Sequence, residues 1–248
     1  MSLIPGAEPY QSIKGPVGVV LQHGFTGSPK SMKPWAKFLA KNGYSVSVPR
    51  LPGHGTTWQE MNKTRWTDWY AETSRAFDEL RSKCDQVFIM GMSMGGALAL
   101  RLAEERGDQV AGLVLINPAL FTLRMDRHLL PYLRHIVPAF PGISNDIKKP
   151  NQDEGAYDRI PLQAAYSMSQ LWSTTMKDIG SVNQPILVFT SRDDHVVENE
   201  NSGWIMQHVP SANRRQLFLE NSYHVATLDN DAELIFSESL AFIQEVTA

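Results

Sequence analysis

The stretch Val87 to Leu98, VFIMGMSMGGAL, decides the fold. Val87 to Met90 is an apolar run too short for a helix and suited to a buried strand. Gly91-Met92-Ser93-Met94-Gly95 makes a tight turn, and a helix starts directly after it. A serine bracketed in this way between strand and helix is the pattern of a nucleophile elbow. A side chain two positions either side of the serine would run into the neighbouring strand or helix, so both places need glycine. The first backbone N–H groups of the helix have no intrahelical partner and face an incoming anion. GxSxG by itself recurs by chance, so the rest of the chain has to support it.

Outward from the elbow, strand and helix alternate. Gly18 to Gln22 is a β-branched run of the kind found in parallel strands covered on both faces. It leads into His23-Gly24-Phe25-Thr26-Gly27. Ser28-Pro29 then caps a helix that places Met32, Trp35 and Leu39 on one stripe and stops at Gly43. A second strand spans Tyr44 to Leu51, and a helix from about Thr67 buries Tyr70, Thr73, Phe77 and Leu80. After the elbow helix, which ends near Gly107, another strand covers Ala111 to Asn117. This order predicts a mostly parallel central sheet with helices on both faces and right-handed crossovers.

The alternation breaks from about Phe121 to Ile160. No strand is expected there, and prolines punctuate short helical pieces. With a helix near Leu162 to Lys177 this reads as a short helical cap, about residues 121–178, inserted into a single domain of residues 1–248. The sheet resumes at Gln184 to Thr190, a helix runs through Trp204 and Ile205, and the last strand is Gln216 to Leu219. A closing helix, capped near Asp231, is striped by Phe236, Leu240, Ile243 and Val246.

Composition narrows the function. The 248 residues are 42% hydrophobic with a net charge of −3, enough for a sizeable core and unsuited to nucleic acid. The single cysteine, Cys84, rules out an intrachain disulfide and a cysteine-based metal cluster. The N-terminal residues lack the charged-then-apolar design of a secretory signal, and no apolar run is long enough to span a bilayer, so a cytoplasmic protein is expected. There is no HExxH and no GxGxxG after a strand, so neither a metal nor a dinucleotide cofactor is expected.

In a parallel sheet, functional groups gather at the loops beyond the C-terminal strand ends. Ser93, Asp194 and His224 lie on three such loops, in the order serine, acid, histidine. Serine needs a neutral imidazole to take its proton, and the imidazole needs an anion to fix its tautomer. Asp194 is preferred to Asp193 because Val196 and Val197 can anchor its loop. The backbone N–H groups of Phe25 and Met94 are the expected oxyanion donors. Among the other histidines, His23 is read as structural, orienting the oxyanion loop, and His128, His135 and His208 as solvated.

With these residues in place, the chain resembles the α/β-hydrolases, and among them small bacterial carboxylesterases and monoacylglycerol lipases. The resemblance is carried by HGFTGSPKSMKPWA, NGYSVSVPRLPGHGT, TRWTDW, GMSMGG, DDHVV and NSYHVATLD, and is weakest from Phe121 to Asp153. It implies a nucleophile at Ser93, an acid at Asp194, a base at His224, oxyanion donors at Phe25 and Met94, and a cap that shapes the acyl tunnel. The expected activity is hydrolysis of lipophilic esters, monoacylglycerols first. A short- or medium-chain carboxylesterase, a thioesterase and a non-catalytic small-molecule receptor are the alternatives. Glu154 is a candidate partner for a glyceryl headgroup, and a solvated acidic pair with Asp153 is the other reading. Leu129, Leu130, Leu133, Ile136, Val137 and Phe140 form an apolar stripe in the cap. An underside packed over the pocket is preferred; the alternative is transient contact with an anionic lipid surface through Arg124, Arg127 and Arg134.

Overall fold

The computed structural model describes residues 2–248. The chain runs through β1 (Tyr10–Ser12), β2 (Val17–Gln22), α1 (Lys33–Lys41), β3 (Ser45–Val48), α2 (Trp58–Met61), α3 (Trp66–Arg81) and β4 (Gln86–Met92). It continues with α4 (Met94–Arg106), β5 (Val110–Ile116), α5 (Leu130–Leu133), β6 (Ala139–Pro141), β7 (Arg159–Pro161) and α6 (Leu162–Asp178). It ends with β8 (Ile186–Ser191), α7 (Glu200–His208), β9 (Arg214–Leu219) and α8 (Ala232–Thr247). Seven strands among the described residues form the main sheet in the order β1-β3-β2-β4-β5-β8-β9. All its pairings are parallel except β1 with β3, so the mostly parallel sheet is as the sequence predicts, with an antiparallel edge added.

Each central strand feeds two cores, because successive side chains point to opposite faces. Val20, Ile89, Leu113, Leu115 and Val188 pack with residues of α3, α4, α6 and α7. Val19, Leu21, Phe88, Met90, Val114, Ile116, Leu187 and Phe189 pack with α1 and α8. This is why the strands read as unbroken apolar runs rather than as alternations. In α1, Trp35, Ala36, Leu39 and Ala40 are buried, and the helix ends where Gly43 takes φ +91°.

The structure departs from the sequence expectations elsewhere too. Residues 121–160 are not free of strands: β6 pairs antiparallel with β7, which starts at Arg159. Pro29–Ser31 is a separate 3-10 turn, with Ser28 as its N-cap, ahead of α1. In α8 the buried stripe is centred on Ile235, Ser239, Phe242 and Ile243, one residue round from Phe236 and Leu240. Apart from a 3-10 turn at Met125–Leu129, α5 and the β6–β7 pair, the segment between β5 and α6 is irregular, and its apolar stripe is divided. Leu130, Leu133 and Val137 are half-buried, while Leu129, Ile136 and Phe140 are exposed together with Met125 and Tyr132.

Phe88 sits at the centre of the α1/α8 core, fully buried and edge-on to Phe242. Phe88→Ala is expected to destabilise the fold by about 3–5 kcal/mol, since the space cannot collapse between two packed layers. Urea unfolding measures this, and a loss below about 1 kcal/mol would contradict the packing described.

Candidate active site

Ser93 stands between the last residue of β4 and the first of α4, with φ +56° and ψ −123°. That conformation is disfavoured for a residue with a Cβ and persists only where its surroundings hold it. Here they do: the Ser93 N–H donates to the Ile116 carbonyl at 3.0 Å. Its own carbonyl accepts from Gly96 N at 2.9 Å and Ala119 N at 3.1 Å. The flanking glycines are needed for the reason expected. A Cβ on Gly91 would strike the Gly95 carbonyl, and one on Gly95 would strike the Gln22 carbonyl at the end of β2. The serine side chain is left at the rim, mostly covered yet still reachable by solvent.

The loop after β2 runs against the serine. A Cβ on Gly24 would lie 3.1 Å from Ser93 Cβ. Neither Phe25 N–H nor Met94 N–H donates to a protein acceptor among the described residues, so both remain available to an anion. His23 fixes this loop from behind. Its Nε2 accepts from Leu51 N–H at 3.3 Å, which puts the proton on Nδ1, 2.9 Å from the Gly24 carbonyl. Burial pushes its pKa down to about 4, against the pull of the Gly24 hydrogen bond, and the ring stays neutral. His54, 5.1 Å away between ring centres, is pushed well below its ordinary value by burial and by His23.

Asp194 and His224 come from the loops after β8 and β9. Asp194 Oδ2 lies 2.7 Å from His224 Nδ1. The other carboxylate oxygen accepts from Val196 N and Val197 N, each at 2.8 Å, while Asp193 is exposed. An acceptor on Nδ1 fixes the proton there and leaves Nε2 as the basic nitrogen. Burial disfavours the imidazolium, but the Asp194 charge and hydrogen bond, with Glu154 and Asp146 behind them, outweigh it and raise the His224 pKa above 6.5. Burial likewise opposes ionisation of Asp194, and His224 with the two valine N–H groups overcomes it and lowers its pKa. No hydrogen bond joins Ser93 Oγ to His224 among the described residues. Their loops meet where Thr227 Oγ1 donates to Met92 Sδ at 3.8 Å.

Glu154 is buried, not part of a solvated pair; Asp153 alone faces out and binds Lys30 Nζ at 2.7 Å. Glu154 Oε1 accepts from Asn145 N at 3.1 Å, and Glu154 N donates to Asn145 Oδ1 at 2.8 Å. Its Oε2 has no protein partner among the described residues and lies 3.5 Å from where a Cβ on Gly27 would stand, beside the oxyanion loop. Burial raises its pKa, against the Asn145 N–H and the nearby His224.

Sequence reading misses the residues that hold these loops. Asn117 takes φ +44° at the end of β5; its Nδ2 donates to the His224 carbonyl at 2.8 Å, and its Oδ1 accepts from Ser191 N at 2.8 Å. Asp229 accepts from Tyr223 N at 2.9 Å and from Lys148 N at 2.7 Å. Their work is tertiary hydrogen bonding to backbone, and it leaves no local pattern. No group of three or more metal-ligating side chains occurs among the described residues.

The chain is similar to known proteins. The model of a family described as "Serine aminopeptidase, S33" matches residues 17–231. A protein of Bacillus sp. (strain H-257) named thermostable monoacylglycerol lipase is 40% identical, covering 97% of this chain and 95% of its own length. A solved structure from a study of two metagenome-derived lipolytic enzymes, LipS and LipT, is 41% identical and superposes with a TM-score of 0.95, covering 98% of this chain and 100% of that one. A structure of a monoacylglycerol lipase from Paleococcus ferrophilus shares the fold, with a TM-score of 0.78 at 21% identity, over 96% of this chain and 99% of that one.

The electrostatics separate three buried histidines. In an NMR titration the His224 ring is expected to protonate above pH 6.5, that of His23 near pH 4, and that of His54 well below 6.5. A His224 midpoint below 6.5 would mean that burial, and not the Asp194 charge, dominates at that ring.

Proposed function

The chain belongs to the serine hydrolase family described as "Serine aminopeptidase, S33", and from that premise we propose that it hydrolyses lipophilic carboxylic esters, with monoacylglycerols as its natural substrates. The observation that carries the chemistry is the buried Asp194–His224 pair on the strand-end loops beside a strained Ser93. The substrate class is supported by near-full-length similarity to a protein named as a monoacylglycerol lipase.

In this reading His224 Nε2 takes the Ser93 proton as Oγ attacks the ester carbonyl, and Asp194 stabilises the imidazolium that forms. The oxyanion forms against Phe25 N–H and Met94 N–H, and each such donor is worth on the order of 3 kcal/mol in the transition state. The imidazolium then gives its proton to the departing glyceryl oxygen. Water, deprotonated by the same nitrogen, releases the fatty acid and restores Ser93. The chemistry calls for no cofactor. Glu154, with one oxygen unclaimed, is assigned to a hydroxyl of the glyceryl group.

The segment of residues 121–178 is read as the cap over the acyl chain. Its exposed Met125, Leu129, Tyr132 and Ile136 lie among Arg124, Arg127 and Arg134, which suits transient contact with an anionic lipid surface. No helix among the described residues is long and apolar enough to cross a membrane. With a single buried cysteine, the chain suits the reducing cytoplasm to which this reading assigns it.

Ser93→Ala is expected to lower ester turnover by at least about a thousandfold while leaving the melting temperature close to that of the wild type. Turnover near the wild-type rate would overturn the assignment. Across mono-, di- and triacylglycerols kcat/KM should be greatest for the monoacylglycerol, and aminoacyl anilides should be poor substrates. Glu154→Gln should raise KM for monoacylglycerol about tenfold and leave that for a p-nitrophenyl ester unchanged. The acid limb of kcat/KM should lie above pH 6.5, because a raised His224 pKa means that neutral imidazole is lost earlier as pH falls.

A further inference from the structure

One carboxylate of the insertion between β5 and β8 reaches both the loop of Asp194 and the loop of His224. Asp146 Oδ2 accepts from His224 N at 3.1 Å and from His195 N at 3.2 Å. Its Oδ1 lies 2.8 Å from His195 Nδ1, and its carbonyl accepts from Val225 N at 3.1 Å. His195 follows Asp194 directly, so a single side chain gathers donors from both catalytic loops. The Asp146 side chain is only 10% exposed, whereas the His195 ring it holds is 54% exposed and stacks edge-on to Tyr223.

We propose that Asp146 is a positioning residue for catalysis, clasping the Asp194 loop to the His224 loop so that the His224 ring is held in line between Asp194 and Ser93. The inference rests on the serine esterase reading above.

The need for such a clasp follows from how few bonds fix the pair. Asp194 and His224 share one hydrogen bond, and the second Asp194 oxygen is spent inside its own loop on Val196 and Val197. Orientation of His224 therefore depends on its backbone. Its carbonyl is tied on the sheet side by Asn117 Nδ2 at 2.8 Å, and its N–H is tied on the insertion side by Asp146. With either tie gone, the ring can pivot about the other, and a displacement of about 1 Å in a reacting group costs about a hundredfold in rate.

Asp146 is itself held. Lys148 N and Lys149 N donate to Asp229 at 2.7 and 2.9 Å, and Asn145 exchanges two hydrogen bonds with Glu154. The clasp thus links the proposed alcohol subsite to the base through two adjacent residues, Asn145 and Asp146. It also has an electrostatic side. The carboxylates acting on His224 are Asp194 from the β8 loop and Glu154 and Asp146 from the insertion, with His195 between Asp146 and solvent. Removal of the Asp146 charge withdraws part of the support for the imidazolium.

The test is steady-state hydrolysis of a monoacylglycerol by Asp146→Ala, Asp146→Asn, Ser93→Ala and the wild type, across pH. Alanine removes both acceptor oxygens, whereas asparagine keeps an oxygen for the two backbone N–H groups and loses the charge. The expected result for Asp146→Ala is a fall in kcat between about tenfold and a hundredfold, with KM within about twofold of the wild type. Asp146→Asn should recover most of that kcat, and its acid limb should move to lower pH, which a loop staple without influence on His224 would not cause. Wild-type kcat in Asp146→Ala overturns the proposal. Should that variant fail to fold, an unmoved acid limb in Asp146→Asn overturns it. If Ser93→Ala retains turnover, the esterase reading itself has failed. If Ser93→Ala is inactive and Asp146→Ala matches the wild type, only the clasp has failed.

Discussion

The structure depends on the approach of one helix to one strand end. The first turn of α4 rests on the last residue of β2 so closely that a methyl group on Gly95 would occupy the position of the Gln22 carbonyl. That contact fixes the sharpness of the turn at Ser93 and with it the positive φ of the serine. It also brings the loop after β2 against the turn, with Gly24 beside Ser93. The proposed nucleophile and the proposed anion site therefore share a single packing constraint. The cost is a strained residue, and Ile116, Gly96 and Ala119 offset it with three backbone hydrogen bonds.

The buried groups around this turn are set apart by charge. Two buried histidines near the oxyanion loop are kept neutral by desolvation, and His23 serves only as a hydrogen-bonding strut between Leu51 and Gly24. His224 is just as buried, yet the Asp194 carboxylate moves its pKa the other way. Burial is common to all three rings. What separates His224 from the other two is the carboxylate at Nδ1, which gives one of three buried histidines the properties of a base.

Much of this is legible in the sequence, for identifiable reasons. The central strands are readable because both faces are buried, and the elbow because its glycines are forced by sterics. The preference for Asp194 over Asp193 rests in the sequence on valines expected to anchor its loop, and in the fold their backbone N–H groups bind its second oxygen. β1, β6 and β7 are not readable: three residues each carry too little periodicity to stand out. Asn117, Asp146 and Asp229 are invisible for a different reason. They bind backbone N–H and C=O groups far away in the chain, and any polar residue in a loop looks the same until the fold brings those groups together. The apolar stripe at residues 129–140 reads as one surface in the sequence and is two in the fold, since Leu130, Leu133 and Val137 turn inward while Leu129, Ile136 and Phe140 do not.

The attachment of the insertion bears on how such proteins can diversify. Segments placed between strands of a sheet are often treated as interchangeable modules that set specificity while the sheet keeps the chemistry. In this chain the segment from Asn145 to Lys149 is bolted to Asp229 and to the loops of His195 and His224. The insertion and the loops of His195 and His224 share a fastening. A graft of residues 121–178 from another scaffold would keep the proposed clasp only if it also brings an acceptor to the place of Asp146, and new specificities are reached more readily by point changes in the outer half of the segment, where Met125 to Ile136 make no hydrogen bond to either loop among the described residues.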